Sequence, residues 1–256
     1  MNKGIVLGII QVRMGSTRLP KKALKEVAGK PLLWHLAERV KASSLIDRVV
    51  IATADTADNL PIVEFAKAHD ISYFAGDEQD LVSRFYNTAK AFNAKILVRI
   101  TGDCPLTDPH VIDKLIGFYL DNKTKYDYVS NTMKPTYPHG LDADVIPFST
   151  IEDMHYRLKD NFWREWFTSY IIEHPNYYRL ANIEHDRGLS YLRWTIDYEE
   201  DFLFMKEVFS RLYKKGKIFL MKDILELLDK EPWITDINKK YSRNTAYYEA
   251  KKEAGK

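Results

Sequence analysis

A three-layer α/β fold with a mostly parallel central sheet is predicted by the alternation of two kinds of segment. Short apolar runs rich in β-branched residues recur at 4–10 (GIVLGII), 48–54 (RVVIATA) and 95–101 (KILVRIT). Each has the length of one strand and the unbroken hydrophobicity of a strand buried on both faces. Between them, 31–43, 60–70 and 81–93 space apolar residues three and four apart among polar ones, the pattern of amphipathic helices. Right-handed crossovers then spread the helices over both faces of the sheet, and ligands bind beyond the carboxyl ends of its strands.

From about residue 126 the rhythm changes. Strand candidates at 126–132, 143–148, 177–183 and 190–197 carry more aromatics and are separated by irregular loops, which predicts an inserted, partly antiparallel substrate lobe. Beyond Asp197, 199–216 and 221–231 read as amphipathic helices, with Pro232 marking a break and 251–256 a frayed helix or tail. No Gly/Ser-rich linker divides the chain and no solenoid-length repeat is present, so 1–256 reads as one domain.

Composition narrows the partners. Lys and Arg number 38 against 36 Asp and Glu, a formal net charge of +2, which argues against nucleic acid as the main partner. Any basic site has to be local. The single cysteine, Cys104, can form no internal disulfide and belongs to no zinc pattern, which fits a reducing cytoplasm. The apolar stretch 4–12 is far shorter than the ~20 residues a membrane span needs, so no membrane partner is expected.

The first loop, Arg13-Met-Gly-Ser-Thr-Arg-Leu-Pro-Lys-Lys, follows the first strand and precedes a helix beginning near Pro31. Gly15 permits close backbone approach, Ser16 and Thr17 add donors, and Arg13, Arg18, Lys21 and Lys22 can neutralise phosphates. A solvated basic turn competes with that reading. The loop is neither a Walker sequence nor G-x-G-x-x-G, so a P-loop ATPase and a Rossmann dehydrogenase are both unsupported.

Two aspartates stand at predicted strand ends. Asp103, in Thr-Gly-Asp-Cys-Pro, and Asp197, in Trp-Thr-Ile-Asp, suit magnesium, which takes one or two protein carboxylates beside phosphate oxygens and water. Each could instead cap the helix that follows it. Cys104 reads as a packing residue rather than a nucleophile. In the second half, Pro138-His-Gly-Leu-Asp-Ala-Asp-Val sets His139, Asp142 and Asp144 around a Gly turn. Arg164 and Glu165 open a further helix, where the arginine fork suits a carboxylate or phosphate, or pairs with a helix neighbour.

The run 13–40, RMGSTRLPKKALKEVAGKPLLWHLAERV, resembles the amino-terminal signature of CMP-Kdo synthetases and the wider acylneuraminate cytidylyltransferases, including spore-coat polysaccharide members. The resemblance implies a Rossmann-like, GT-A-like nucleotidyltransferase. It implies a nucleotide-binding half at about 1–125, and acceptor-binding and dimerisation elements at about 126–190. It assigns the CTP phosphates to Arg13, Gly15, Ser16, Arg18 and Lys22, and places Asp55 and Arg84 near the base. Gly102, Asp103 and Pro105 match a G-D-x-P motif whose Asp binds magnesium, and Asp197 matches the aspartate that completes the metal site, with Asp201 structural. His139, Asp142 and Asp144 fall in a stretch resembling G-L-D-V-E-V at the sugar site. Arg164 and Glu165 fall in a helix resembling R-E-H-V-T-x-Y. Lys21 stands where many relatives have glycine, Ala23 where many have proline, and Trp166 where the spore-coat members have histidine.

The expected activity is transfer of CMP from CTP to a Kdo-, sialic- or legionaminic-acid-like sugar, with pyrophosphate released, for surface polysaccharide synthesis by a homodimer. A phosphonate or phosphate acceptor would also suit an arginine-lined pocket. Asp142-Ala-Asp144 also fits the D-x-D of metal-dependent glycosyltransferases, and a non-catalytic nucleotide-binding scaffold is a third reading. No histidine stands out as a general base.

Overall fold

The computed structural model describes residues 4–256. The three apolar runs are neighbours at the centre of one sheet. The first half comprises β1 (Ile5–Gln11), the ribbon β2 (Glu26–Val27) and β3 (Lys30–Pro31), α1 (Leu32–Lys41), β4 (Arg48–Ala54), α2 (Leu60–Ala68), β5 (Ser72–Gly76), α3 (Leu81–Ala91), β6 (Ala94–Thr101) and α4 (Pro109–Asp121). The second comprises β7 (Tyr128–Ser130), β8 (Asp144–Pro147), α5 (Phe148–Arg157), α6 (Asn161–Glu165), α7 (Phe167–Glu173) and β9 (Leu180–Asn182). It ends with α8 (Glu199–Leu212), α9 (Met221–Lys230), α10 (Trp233–Asp236) and α11 (Thr245–Glu253).

Seven strands lie in the order β5-β4-β1-β6-β8-β7-β9. β8 pairs antiparallel with both β6 and β7, and every other pairing in the sheet is parallel. The antiparallel character of the second half is therefore one reversed strand, and that half extends the same sheet. Side chains alternate faces along a strand. Val6 and Ile10 of β1 pack with Leu36 of α1, Leu115 of α4 and Val208 of α8. Leu7 and Ile9 meet Val82 and Phe85 of α3 and Ile151 of α5 on the other face. Both faces are covered, which is why these runs are apolar throughout. No helix among the described residues is long and apolar enough to cross a membrane.

Two expectations fail. β5 has no counterpart in the sequence reading, because this edge strand is only partly buried and Tyr73 is exposed, so it lacks the apolar run of its neighbours. Conversely, 190–197 is not a strand of the sheet. It meets the 138–142 loop through one isolated bridge, His139 to Arg193, and its amides go to loop carbonyls: Trp194 N–H to His139 O at 2.6 Å and Ile196 N–H to Asp103 O at 2.9 Å.

That crossing depends on Gly140. Its φ is +116°, and a Cβ there would lie 2.4 Å from the carbonyl oxygen of Trp194. Gly140→Ala is expected to cost about 2–3 kcal/mol from backbone strain and this clash, read as a lowered urea midpoint. An unchanged midpoint would mean the two segments part without penalty.

Candidate active site

The cleft opens where the strand order reverses. From β1 the chain proceeds to β4 on one side, while β6 on the other side of β1 borders β8, leaving a crevice at their carboxyl ends. Gly102 lets the exit of β6 pass tightly over that of β1. Its N–H donates to Gln11 O at 2.8 Å, and a Cβ would fall 2.6 Å from Val12 Cβ. Asp103 is thereby delivered beside the 12–21 loop.

Buried Val12 and Leu19 anchor that loop at both ends. Met14 N–H donates to Asn59 Oδ1 at 2.8 Å, and Ser16 Oγ accepts from Leu19 N–H at 3.3 Å. A Cβ on Gly15 would meet nothing within 4 Å, so the space above it is open to a ligand. Lys21 has φ 57°, in the left-handed region that glycine favours. The next residue, Lys22, reaches into the cleft.

The competing cap readings fall away. The side chain that caps α4 is Asp108, which accepts from His110 N–H at 2.8 Å, and α8 is capped at Tyr198, whose N–H donates to Asp201 at 3.0 Å. Asp103 and Asp197 instead face one another across Lys22. Its Nζ lies 3.2 Å from Asp103 Oδ2, 3.0 Å from Asp197 Oδ1 and 2.6 Å from Ile196 O. Burial pushes both carboxyls up, and the Lys22 ammonium outweighs it, holding both below the usual carboxylate range. Lys22 is itself raised, since the two carboxylates outweigh its own burial. Arg18 adds a contact to Asp197 at 2.9 Å.

Sequence reasoning missed Arg193, which organises this end of the cleft. It is buried, grips Asp201 through Nε and Nη2 at 2.8 Å each, and touches Asp197 Oδ2 at 3.1 Å. Asp201 also accepts the N–H of Asp197 at 2.8 Å. A usable signal was present. In 193–197 the even residues Trp194 and Ile196 are core, while Arg193, Thr195 and Asp197 line the cleft, the alternation of an extended run.

The cleft encloses about 510 Å³. Arg13, Gly15, Ser16, Arg18 and Lys22 line its loop side, with Arg84 nearby donating to the carbonyls of Asp77 and Glu78. His139, Asp142 and Glu165 line the other side, and Arg13 lies 3.8 Å from Glu165. Burial and the guanidiniums of Arg243 and Arg193 push the His139 imidazole down against the pull of Asp142.

Three expected site residues lie elsewhere. Asp144 is 2% exposed within β8, bound by Arg99 at 2.8 Å and by the hydroxyls of Tyr128 and Ser130. It lies outside the cleft lining, behind Arg99, which does line it. Arg164 turns to Asp80 at 2.8 Å, Ser83 and the carbonyl of Leu158, outside the cleft lining. Asp55 is exposed and also outside it. Asp142 pairs with Arg243, so the carboxylates of the D-x-D motif serve two separate arginines and share no cation position. Arg243 belongs to a C-terminal stretch with no motif to announce it.

Comparison with known proteins agrees with this geometry. A family model described as cytidylyltransferase matches residues 7–252. The spore coat polysaccharide biosynthesis protein SpsF of Bacillus subtilis is 30% identical over 239 residues, 89% of this chain and 95% of that protein. A 3-deoxy-manno-octulosonate cytidylyltransferase of Trichlorobacter lovleyi is 34% identical over 117 residues, 46% of each chain. The structure of a cytidylyltransferase from Leptospira borgpetersenii superposes with a TM-score of 0.86 at 31% identity, covering 90% of this chain and 96% of that one. A crevice built from a basic loop and two aspartates far apart in sequence, with this degree of likeness along nearly its whole length, means that the chain belongs to the cytidylyltransferase family of CTP-dependent nucleotidyltransferases.

Proposed function

We propose that this enzyme transfers CMP from CTP to an acidic sugar, releasing pyrophosphate, in the synthesis of a surface polysaccharide. The observation that carries the reading is the convergence of Asp103 and Asp197 on one point beside the Arg13–Lys22 loop.

That point suits a magnesium ion. Lys22 Nζ stands in for a cation there, within 3.2 Å of both carboxylates. No group of three metal-ligating side chains exists among the described residues, which fits an ion that takes its remaining ligands from phosphate and water. Asp103 and Asp197 would hold it, and when bound it supplies charge neutralisation at the triphosphate. Arg13, Arg18 and Lys22 bind the phosphate oxygens, and the open backbone at Gly15 allows their close approach. With the α-phosphorus so fixed, an acceptor hydroxyl forms a new P–O bond in line as the bond to pyrophosphate breaks, its proton passing to solvent. His139 and Asp142 face the acceptor side.

Incubation with CTP, magnesium and a panel of Kdo, sialic, legionaminic and pseudaminic acids should release pyrophosphate with at least one acid, well above the rate without acceptor. Sugar-nucleotide turnover without CTP consumption would reverse this reading.

A further inference from the structure

The C-terminal segment 241–251, which precedes the expected frayed helix or tail at 251–256, closes one side of the cleft. It is fastened at three points. The Tyr241 ring stacks on Tyr198 with centroids 3.7 Å apart, and its hydroxyl donates to Glu200 at 2.8 Å. Arg243 Nη2 donates to Asp142. Tyr247 packs on Trp166 at 5.3 Å, and Lys251 of α11 binds Glu173 at 2.7 Å. Arg243 and Tyr247 thereby become part of the cleft lining.

Arg243 is incompletely used by the protein. Its side chain is 16% exposed, and Nη1 is buried without any hydrogen-bond partner. Among the described residues one other side-chain atom shares that state, Trp194 Nε1, on a residue that does not line the cleft. A guanidinium has five N–H donors and no acceptor, and leaving one buried and unmade is costly. Arg193, the other guanidinium beside His139, is already occupied by Asp201 and Asp197. Arg243 has Asp142 alone, and its fork leaves an edge free for a second oxyanion.

We infer that Arg243 Nη1 binds the anionic group of the acceptor, a carboxylate or a phosphoryl oxygen, while Asp142 holds the guanidinium in position through Nη2. The inference rests on the cytidylyltransferase reading of the cleft. It shifts the anion site from Arg164, which is spent on Asp80, to a residue delivered by the C-terminal segment. Asp142 then acts on the acceptor through Arg243, and Trp166 and Tyr247 form the wall beside it.

The test is calorimetric titration of wild type, Arg243→Gln and Arg243→Lys with Kdo, N-acetylneuraminate, its uncharged methyl ester and glucose 1-phosphate, and separately with CTP plus magnesium. Wild type should prefer an anionic ligand over the ester. Arg243→Gln should weaken the preferred anion by about 10–100-fold, the worth of a charge-assisted hydrogen bond, and erase that preference. Arg243→Lys, which keeps the charge without the fork, should fall between. CTP affinity should stay within about twofold of wild type, which also shows that the variants are folded. A sugar acid as the tighter ligand makes the anion a carboxylate, and glucose 1-phosphate makes it phosphoryl. Undiminished binding by Arg243→Gln, a loss confined to CTP, or no anion bound by wild type overturns the inference. Anion binding that needs Arg243 in an enzyme that never consumes CTP would instead sink the proposed reaction and leave the site standing.

Discussion

Asp103→Asn and Asp197→Asn are each expected to lower CMP transfer by about 10³-fold or more while the chain remains folded. The magnitude is that of removing a preorganised charge from a phosphoryl-transfer site, where positioning and electrostatics supply most of the rate. The two variants should differ in stability. Among the described residues Asp103 makes one ion pair, with Lys22, whereas Asp197 is shared by Lys22, Arg18 and Arg193. Asp103→Asn should leave the unfolding midpoint nearly unchanged, and Asp197→Asn should lower it measurably. Steady-state pyrophosphate release and urea unfolding on the same preparations check both statements. Unchanged turnover in either variant removes that aspartate from the proposed metal site.

The largest loss of stability is expected from Arg193→Met, about 3–5 kcal/mol. Asp201 has no solvent exposure, and Arg193 is its sole ion-pair partner among the described residues. Removing the arginine leaves a buried carboxylate supported by the N–H groups of Asp197 and Tyr198 and by Asn238, without compensating charge. Replacing both, as Arg193→Met with Asp201→Leu, should recover part of the loss, because the desolvation cost goes with the charges. Denaturant melts of the two single variants and the double variant form the cycle that measures the coupling. Additive losses would mean that the pair is not energetically linked.

What could be read from the sequence follows from how each residue signals its role. β1, β4 and β6 are buried on two faces, so their runs are apolar without interruption and announce themselves. The Arg13–Lys22 loop concentrates donors and cations in ten residues, and Asp103 stands in the Thr-Gly-Asp-Cys-Pro run directly after a strand that announces itself. Asp144 and Arg164 misled because a charged residue next to a turn or on a helix carries no mark of which way it points. Their partners, Arg99 and Asp80, are brought to them by the sheet and by the packing of α3 against α5 and α6. Arg193 and Arg243 were invisible for the complementary reason: each acts across the fold, on residues 8 and 101 positions away, through geometry that the sheet creates. Whole-chain topology was thus easier to foresee than the direction of a single guanidinium.

The crossing at Gly140 has a mechanical meaning. His139 N–H donates to Leu192 O at 2.9 Å, Trp194 N–H returns to His139 O at 2.6 Å, and the missing Cβ lets the two backbones touch. Asp142 lies two residues beyond Gly140 and Asp197 three beyond Trp194. The wall that carries Asp142 and the wall that carries Asp197 are therefore riveted together through main chain. In the proposed reaction the distance between the two reactants would be set as in a jig, by this fixed frame.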